Sequence, residues 1–286
     1  MRNKILVMGA TGKVGYEVIK YLSKYNVDVK AAIHTPQSAS KLSNIKAETV
    51  LFDINNTETL KEAFSGVKKL FLLLPSIDTD TELAAAKKII DFAEQEGVDN
   101  IVQLSAMGVE HYPTFSNFHI EKYLNDKSIP HIHLRPNFFM QNFNTIFLNP
   151  IKQKNSINFY DAGIPTSLID TRDIGAVAAK LLLETHQKCA TYTLTGSEAL
   201  THAQVAAILS KVTNKSIQYT AKSDDDTRAT LFECGWTEEG IEKVLLLFQC
   251  VQRGVFAPVH TDVSDLLERA PISFQQYAEE YKDYFK

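Results

Sequence analysis

Short apolar runs alternate with amphipathic stretches through the first half of the chain. Lys4–Met8 is a compact apolar strand that meets glycines, and Lys13–Tyr25 behind it reads as a helix. Val27–Ile33 and Ala47–Leu51 give two more strands, Thr57–Phe64 a short helix and Val67–Leu74 a fourth strand. A long helix is predicted over Thr79–Gln95, with Leu83, Ala86, Ile89, Ile90 and Ala93 on one face. Asn100–Leu104 and Ile129–Leu134 supply strands five and six. Strands that stay apolar without alternating belong in a parallel sheet covered on both faces. Their alternation with helices predicts an α/β fold, a Rossmann-type doubly wound parallel sheet.

The pattern loosens after Arg135. Asp173–Leu183 is a clear apolar helix, Tyr192–Leu194 reads as a strand, and His202–Lys211, Glu238–Gln249 and Phe274–Tyr284 read as helices. Asp224–Asp226 is a turn or a helix start. The expected organisation is a dinucleotide-binding domain over 1–150 and a smaller, interleaved C-terminal α/β lobe over 151–286, with 167–184 returning to the first core. The 286 residues suffice for a large buried core without staples. A net charge of −4 gives no support for nucleic-acid binding. Cys189, Cys234 and Cys250 form no CxxC pair, so neither a disulfide framework nor a cysteine redox couple is expected. The opening residues carry no signal-peptide pattern, and the run Val67–Leu74 is far too short for a membrane span. A cytoplasmic protein without a membrane partner is the resulting expectation, and a homodimer is possible.

Gly9-Ala-Thr11-Gly12-Lys13-Val14-Gly15 directly follows a strand and opens a helix. Small residues there let a pyrophosphate approach the backbone and meet free helix amides. An NAD site usually places an acid at the end of strand two. Here that strand ends at Ile33-His34, and Asp28 lies at its opposite end. With no acid to repel a 2′-phosphate, NADP(H) is favoured over NAD(H). His34 reads either as a phosphate contact, with Lys41 nearby, or as a surface histidine. Asp53 reads either as an adenine-side contact or as a solvated or helix-capping acid.

The crevice beyond the strand ends should receive Leu74, Pro75 and Ser76, then Ser105 and Met107, then Pro136, Asn137, Phe138, Phe139 and Met140. A reductase often protonates its substrate with a Tyr that has Lys four residues later. Tyr16 and Lys20 have that spacing but lie on the first helix. On the helix after strand five the chain reads Phe118-His-Ile-Glu-Lys122, which keeps the lysine and lacks the phenol. Lys122 therefore reads as a nicotinamide-side contact or as a solvent-facing lysine, and His119 as a proton donor or an ordinary histidine. No HExxH, GxSxG or cysteine-rich metal site occurs, so neither a metal nor a flavin is expected.

These residues resemble the NmrA-like family of atypical short-chain dehydrogenases/reductases, closest to its NAD(P)H:quinone oxidoreductase type 2 proteins. The likeness spans nearly the whole chain. It rests on Gly9–Gly15, Phe52-Asp53, Ile120-Glu-Lys122, Leu134–Met140, Asp170-Thr-Arg-Asp173, Tyr192–Gly196 and Pro271–Phe274. The resemblance implies that the glycine loop binds pyrophosphate and that position 34, often arginine, contacts the 2′-phosphate. It also implies that Lys122 lies near the nicotinamide, and that Asn137–Met140 lies at the substrate mouth, with Met107 also substrate-facing. The implied activity is hydride transfer to a quinone or similar enone, for which relatives manage without the tyrosine. The alternative it carries is a nucleotide-sensing regulator with a protein partner and little or no turnover.

Overall fold

The computed structural model describes residues 4–74, 79–160, 162–184 and 188–286. The chain divides into two compact units. The first comprises 1–136, 171–194 and 265–268, so its opening run ends at Pro136, ahead of the boundary at 150 read from the sequence pattern.

In the first unit, β1 (Lys4–Val7) runs through the glycine loop into α1 (Lys13–Leu22). Next come β2 (Asp28–Ile33), β3 (Glu48–Leu51), α2 (Thr57–Phe64), β4 (Val67–Leu72), α3 (Thr79–Gln95) and β5 (Asn100–Leu104). After α4 (Ser116–Asn125) and β6 (His131–Pro136) the chain leaves for the second unit, through α5 (Leu148–Lys154) and β7 (Ser156–Phe159). It returns as α6 (Thr171–Leu183) and β8 (Ala190–Leu194). The seven strands are parallel in the order β3-β2-β1-β4-β5-β6-β8. The order reverses between β1 and β4, which is where such sheets open a ligand crevice beyond the carboxyl ends of the strands.

Two lysines are buried inside strands. Lys30 Nζ donates to the carbonyls of Glu62 (2.6 Å) and Ser65 (3.0 Å). Lys69 Nζ donates to Glu184 O at 2.6 Å. Each ammonium thus meets the carbonyls at the end of α2 or α6, where the helix dipole is negative. Helix α6 lies against α1 through Gly175, where a Cβ would stand 2.6 Å from Glu17 Cβ and 2.8 Å from its carbonyl carbon. Only glycine allows that approach.

The second unit comprises 137–170, 195–264 and 269–286. It adds α7 (His202–Thr213), β9 (Gln218–Ala221), α8 (Asp224–Glu233) and α9 (Glu238–Gln252). Strand β9 pairs in parallel with β7. Asp224 starts a helix, capped by Ser223 in a capping box with Asp226. The helix expected over Phe274–Tyr284 is broken, with α-helical turns at Phe274–Glu280 and Lys282–Phe285. The core of this unit is rich in aromatic rings: Phe143 packs on Phe147 and Phe274, and Phe159 stacks on buried His202 at 4.1 Å. Among the described residues, no helix is long and apolar enough to cross a membrane.

Candidate active site

The glycine loop is built around contacts that admit no side chain. Gly9 has φ +62°, and its Cβ would lie 2.6 Å from Leu73 Cδ2. A Cβ at Gly15 would lie 2.2 Å from Gly9 O. Gly12 N donates to Gly9 O at 2.9 Å, closing the turn. Gly12 is also the N-cap of α1, and no side chain caps that helix. A helix start without a side-chain cap suits an anionic group. Thr11 is partly exposed, Lys13 is exposed at the first position of α1, and Val14 and Gly15 are buried against the sheet.

His34 is exposed immediately after β2. The Thr35 and Ser38 hydroxyls lie 2.9 Å apart beside it, and Lys41 is exposed in the following 3-10 turn. Asp53, exposed after β3, accepts from Asn55 N at 2.9 Å through one carboxylate oxygen, while Asn56 caps α2. These groups follow neighbouring parallel strands and so stand at the same end of the sheet as the glycine loop.

A cavity of about 110 Å³ opens at the carboxyl ends of β4 and β5. It is lined by Leu72, Leu73, Leu74, Glu82, Gln103, Leu104, Ser105, Asn117 and Ile120. Leu74 and Ser105 were expected there; Glu82, Gln103 and Asn117 were not. Pro75 and Ser76 lie outside the described residues. Met107 is buried, and its N donates to Pro136 O at 3.0 Å.

Lys122 is exposed and does not line this cavity. On α4 the inward positions are Ser116, Ile120, Glu121 and Leu124, and Lys122 is rotated away from them. His119 Nε2 lies 2.8 Å from Pro113 O, so this ring nitrogen is engaged with a backbone carbonyl. The apolar phase set by Ile120 and Leu124 is the sequence signal that could have pointed to Asn117 and Glu121.

Behind the cavity lies a buried polar network. Ser105 Oγ donates to Glu121 Oε1 at 2.5 Å, and Arg135 grips the same carboxylate through Nε (3.0 Å) and Nη2 (2.6 Å). Arg135 also pairs with Glu110 at 2.9 Å. Burial works against the Glu121 charge, but the Arg135 and Ser105 hydrogen bonds outweigh it and hold its pKa below the usual carboxylate range. Ser116 Oγ donates to Glu82 Oε2 at 2.6 Å. Gln103 Nε2 donates to Asn117 Oδ1 at 3.4 Å, and Gln103 Oε1 faces His133 Nδ1 at 2.7 Å.

Burial pushes the His133 imidazole down to about 4; His131 and Arg135 add to the shift, and Glu121 opposes it. Between its ordinary value and this one, the unfolded chain takes up a proton that the folded chain refuses. The associated stability is fully present above about pH 6.5 and is lost as pH falls through about 4. The expected loss is about 3 kcal/mol, read by denaturant titration across that window. His133→Gln should flatten the profile.

Within the second unit, Asn137 is a structural clasp. Its Nδ2 donates to Ser167 Oγ (2.7 Å) and Phe256 O (2.8 Å), and its Oδ1 accepts from Phe138 N (2.7 Å). The side chain expected to touch a cofactor thus has its hydrogen bonds engaged inside this unit. Phe138 is partly exposed, with its ring 5.0 Å from Phe256. Phe139 bridges to Ile169, and Met140 is fully buried. Among the described residues, no group of His, Cys, Asp and Glu could hold a metal ion.

A parallel sheet reversing at β1/β4, with a glycine-lined and uncapped helix start at the reversal, defines a Rossmann-type dinucleotide fold. The sequence pattern of the NmrA-like family matches residues 1–277, and the chain belongs to that family. It is 27% identical over 281 residues to NAD(P)H azoreductase of Xenophilus azovorans, covering 96% of each chain. It is 29% identical over 237 residues to quinone oxidoreductase 2 of Escherichia coli, covering 81% of this chain and 82% of that one. The fold is shared with the NADPH complex of an Escherichia coli NADPH-dependent quinone oxidoreductase, with TM-score 0.85 and 23% identity over 96% of this chain and 99% of that one.

Proposed function

We propose that this chain is an NAD(P)H-dependent oxidoreductase that reduces a quinone or a similar conjugated carbonyl, with NADP(H) as the favoured cofactor. The observation that carries the reading is the loop cradle. A Cβ at Gly9 would collide with Leu73 and one at Gly15 with Gly9 O, so the loop closes tightly, and the α1 start beside it has no side-chain cap. That geometry suits a pyrophosphate. The related quinone oxidoreductase and azoreductase support a reductase on this frame. When bound, the reduced nicotinamide supplies the hydride.

The chain's own residues then have separable tasks. The α1 amides hold the diphosphate charge. His34, Thr35 and Ser38 offer polar contacts at the ribose-phosphate end, and Asp53 stands on the adenine side. Ser105, Gln103 and Asn117 take the nicotinamide end, in place of Lys122. Phe138 and Phe139 are the partly exposed members of the stretch assigned to the substrate. No tyrosine is needed to protonate a quinone, because its reduced oxygen is conjugated and takes a proton from water.

The test is NADPH and NADH consumption with a panel of small quinones. Turnover with NADPH preferred supports the reading. Nucleotide binding without turnover on any quinone overturns it in favour of a nucleotide sensor. Two variants sharpen the assignment. His34→Arg should raise the preference for NADPH about tenfold, because a guanidinium matches phosphate geometry better than an imidazole does. Lys122→Ala should leave NADPH affinity and kcat within about twofold, as expected for an exposed lysine outside the cavity. Both are read by steady-state kinetics and fluorescence titration.

A further inference from the structure

We propose that the helical hairpin of α8 and α9 is a docking surface for a basic amphipathic helix of a partner protein, with Phe232 and Trp236 as its apolar anchors. The surface goes beyond the reductase reading and does not depend on it, since none of its residues has a task there.

The hairpin lies within the second unit. Helix α9 buries Ile241, Leu245, Cys250 and Val251, whereas α8 has no buried residue and is tied to α9 by Arg228, which pairs with Glu238 and Glu242. At the tip Phe232 is 70% exposed and Trp236 is 49% exposed. The turn that presents them is fixed. Trp236 N donates to Leu231 O at 3.1 Å and Gly235 N to Phe232 O at 2.9 Å, with Gly235 at φ +81°, a Schellman stop. A Cβ on Gly240 would stand 3.2 Å from Trp236 Cε3, so the indole rests on the first turn of α9. Rings placed before a partner arrives lose little freedom when it binds.

The charge around the rings decides what covers them. Residues 222–243 carry three cations and seven carboxylates, a net charge of −4 that equals the net charge of the whole chain. Arg228 is matched by Glu238 and Glu242, and Lys243 by Glu239. Asp225 shares the Phe232 face of α8 two turns away, and Glu233 adjoins Phe232; both are exposed. Aromatic rings in a negative rim suit a partner with an apolar stripe flanked by Lys or Arg. Two hairpins from two copies would set like charges against each other, and so would a hairpin on an anionic lipid surface. Both elements are helices with no strand edge to extend, so the contact is made by side chains, as an amphipathic helix makes it.

Trp236 is the only tryptophan of the chain, so its emission reads the surface directly. The probe is a synthetic amphipathic helix of leucine and lysine, titrated into the full chain, and the control is the same helix with glutamate in place of lysine. The lysine peptide should give a saturable blue shift, and its Kd should rise about tenfold between about 0.05 and 0.5 M salt. Phe232→Ser should weaken binding about tenfold. Asp225→Asn/Glu233→Gln should weaken it about fivefold and flatten the salt dependence. Both variants change exposed side chains and spare the Ser223 capping box and the Arg228 and Lys243 ion pairs, so thermal melts and NADPH affinity should stay in place.

No blue shift with the lysine peptide overturns the proposal, as does an affinity that survives Phe232→Ser or equal binding of the two peptides. A dimer seen by sedimentation and lost in Phe232→Ser overturns it in favour of a second copy of the chain. A blue shift with phosphatidylcholine vesicles overturns it in favour of a lipid surface.

Discussion

Arg135→Met should cost the folded chain about 3–5 kcal/mol, a large share of the stability of an ordinary domain. The guanidinium makes a two-point contact with Glu121, whose side chain is 7% exposed against 16% for Arg135. Removing it leaves a buried carboxylate with the Ser105 hydroxyl in place of a counter-charge. The chain must then bury an unpaired charge or protonate Glu121. Glu121→Leu/Arg135→Met should recover most of the loss, because replacing both partners by apolar groups of similar size is often nearly neutral. Urea denaturation of the three proteins at pH 7 reads this directly. A small loss in the single variant would show that water reaches Glu121.

Gly15→Ala should weaken NADPH binding by at least about 100-fold and cost about 3 kcal/mol of stability. The added Cβ would stand 2.2 Å from Gly9 O, 2.6 Å from Gly9 C and 3.0 Å from Ala10 N. All three atoms are backbone, so no side chain can swing aside, and the loop or α1 must shift. Either movement displaces the amides proposed to face the phosphate. Gly12→Ala is the control, since its Cβ would meet only Gly9 O, at 3.2 Å. Fluorescence titration with NADPH and thermal melts should separate the two variants clearly.

The sheet was legible because its strands are apolar runs punctuated by glycine and polar turns. The loop Gly9–Gly15 could be placed because a strand precedes it and a helix follows. Lys30 and Lys69 show where this reading loses resolution. Each interrupts a strand with a charge, and each is satisfied by helix-end carbonyls distant in sequence. The site was less legible than the fold. Lys122 was matched by residue type, whereas the phase of α4 presents Asn117 and Glu121 inward. The hydrogen bonds of Asn137 were not legible for a related reason: its partners, Ser167 and Phe256, lie far along the chain. Nothing local in the sequence states that pairing. Strands β7 and β9 escaped notice because each has four residues and pairs with a distant partner.

The return of residues 171–194 to the first unit has a consequence for how the protein comes off the ribosome. Helix α1, whose start is proposed to face the phosphate, buries Glu17 and Val18 where Gly175 of α6 comes to rest. That glycine is translated only after β7 and the rest of the 137–170 excursion. Strand β8, which completes the sheet, follows later still. A nascent chain stalled near residue 136 therefore carries the whole glycine loop but exposes the face of α1 that α6 will cover. Nucleotide capture should begin only once the chain through residue 194 has emerged, so the cofactor arrives late in synthesis.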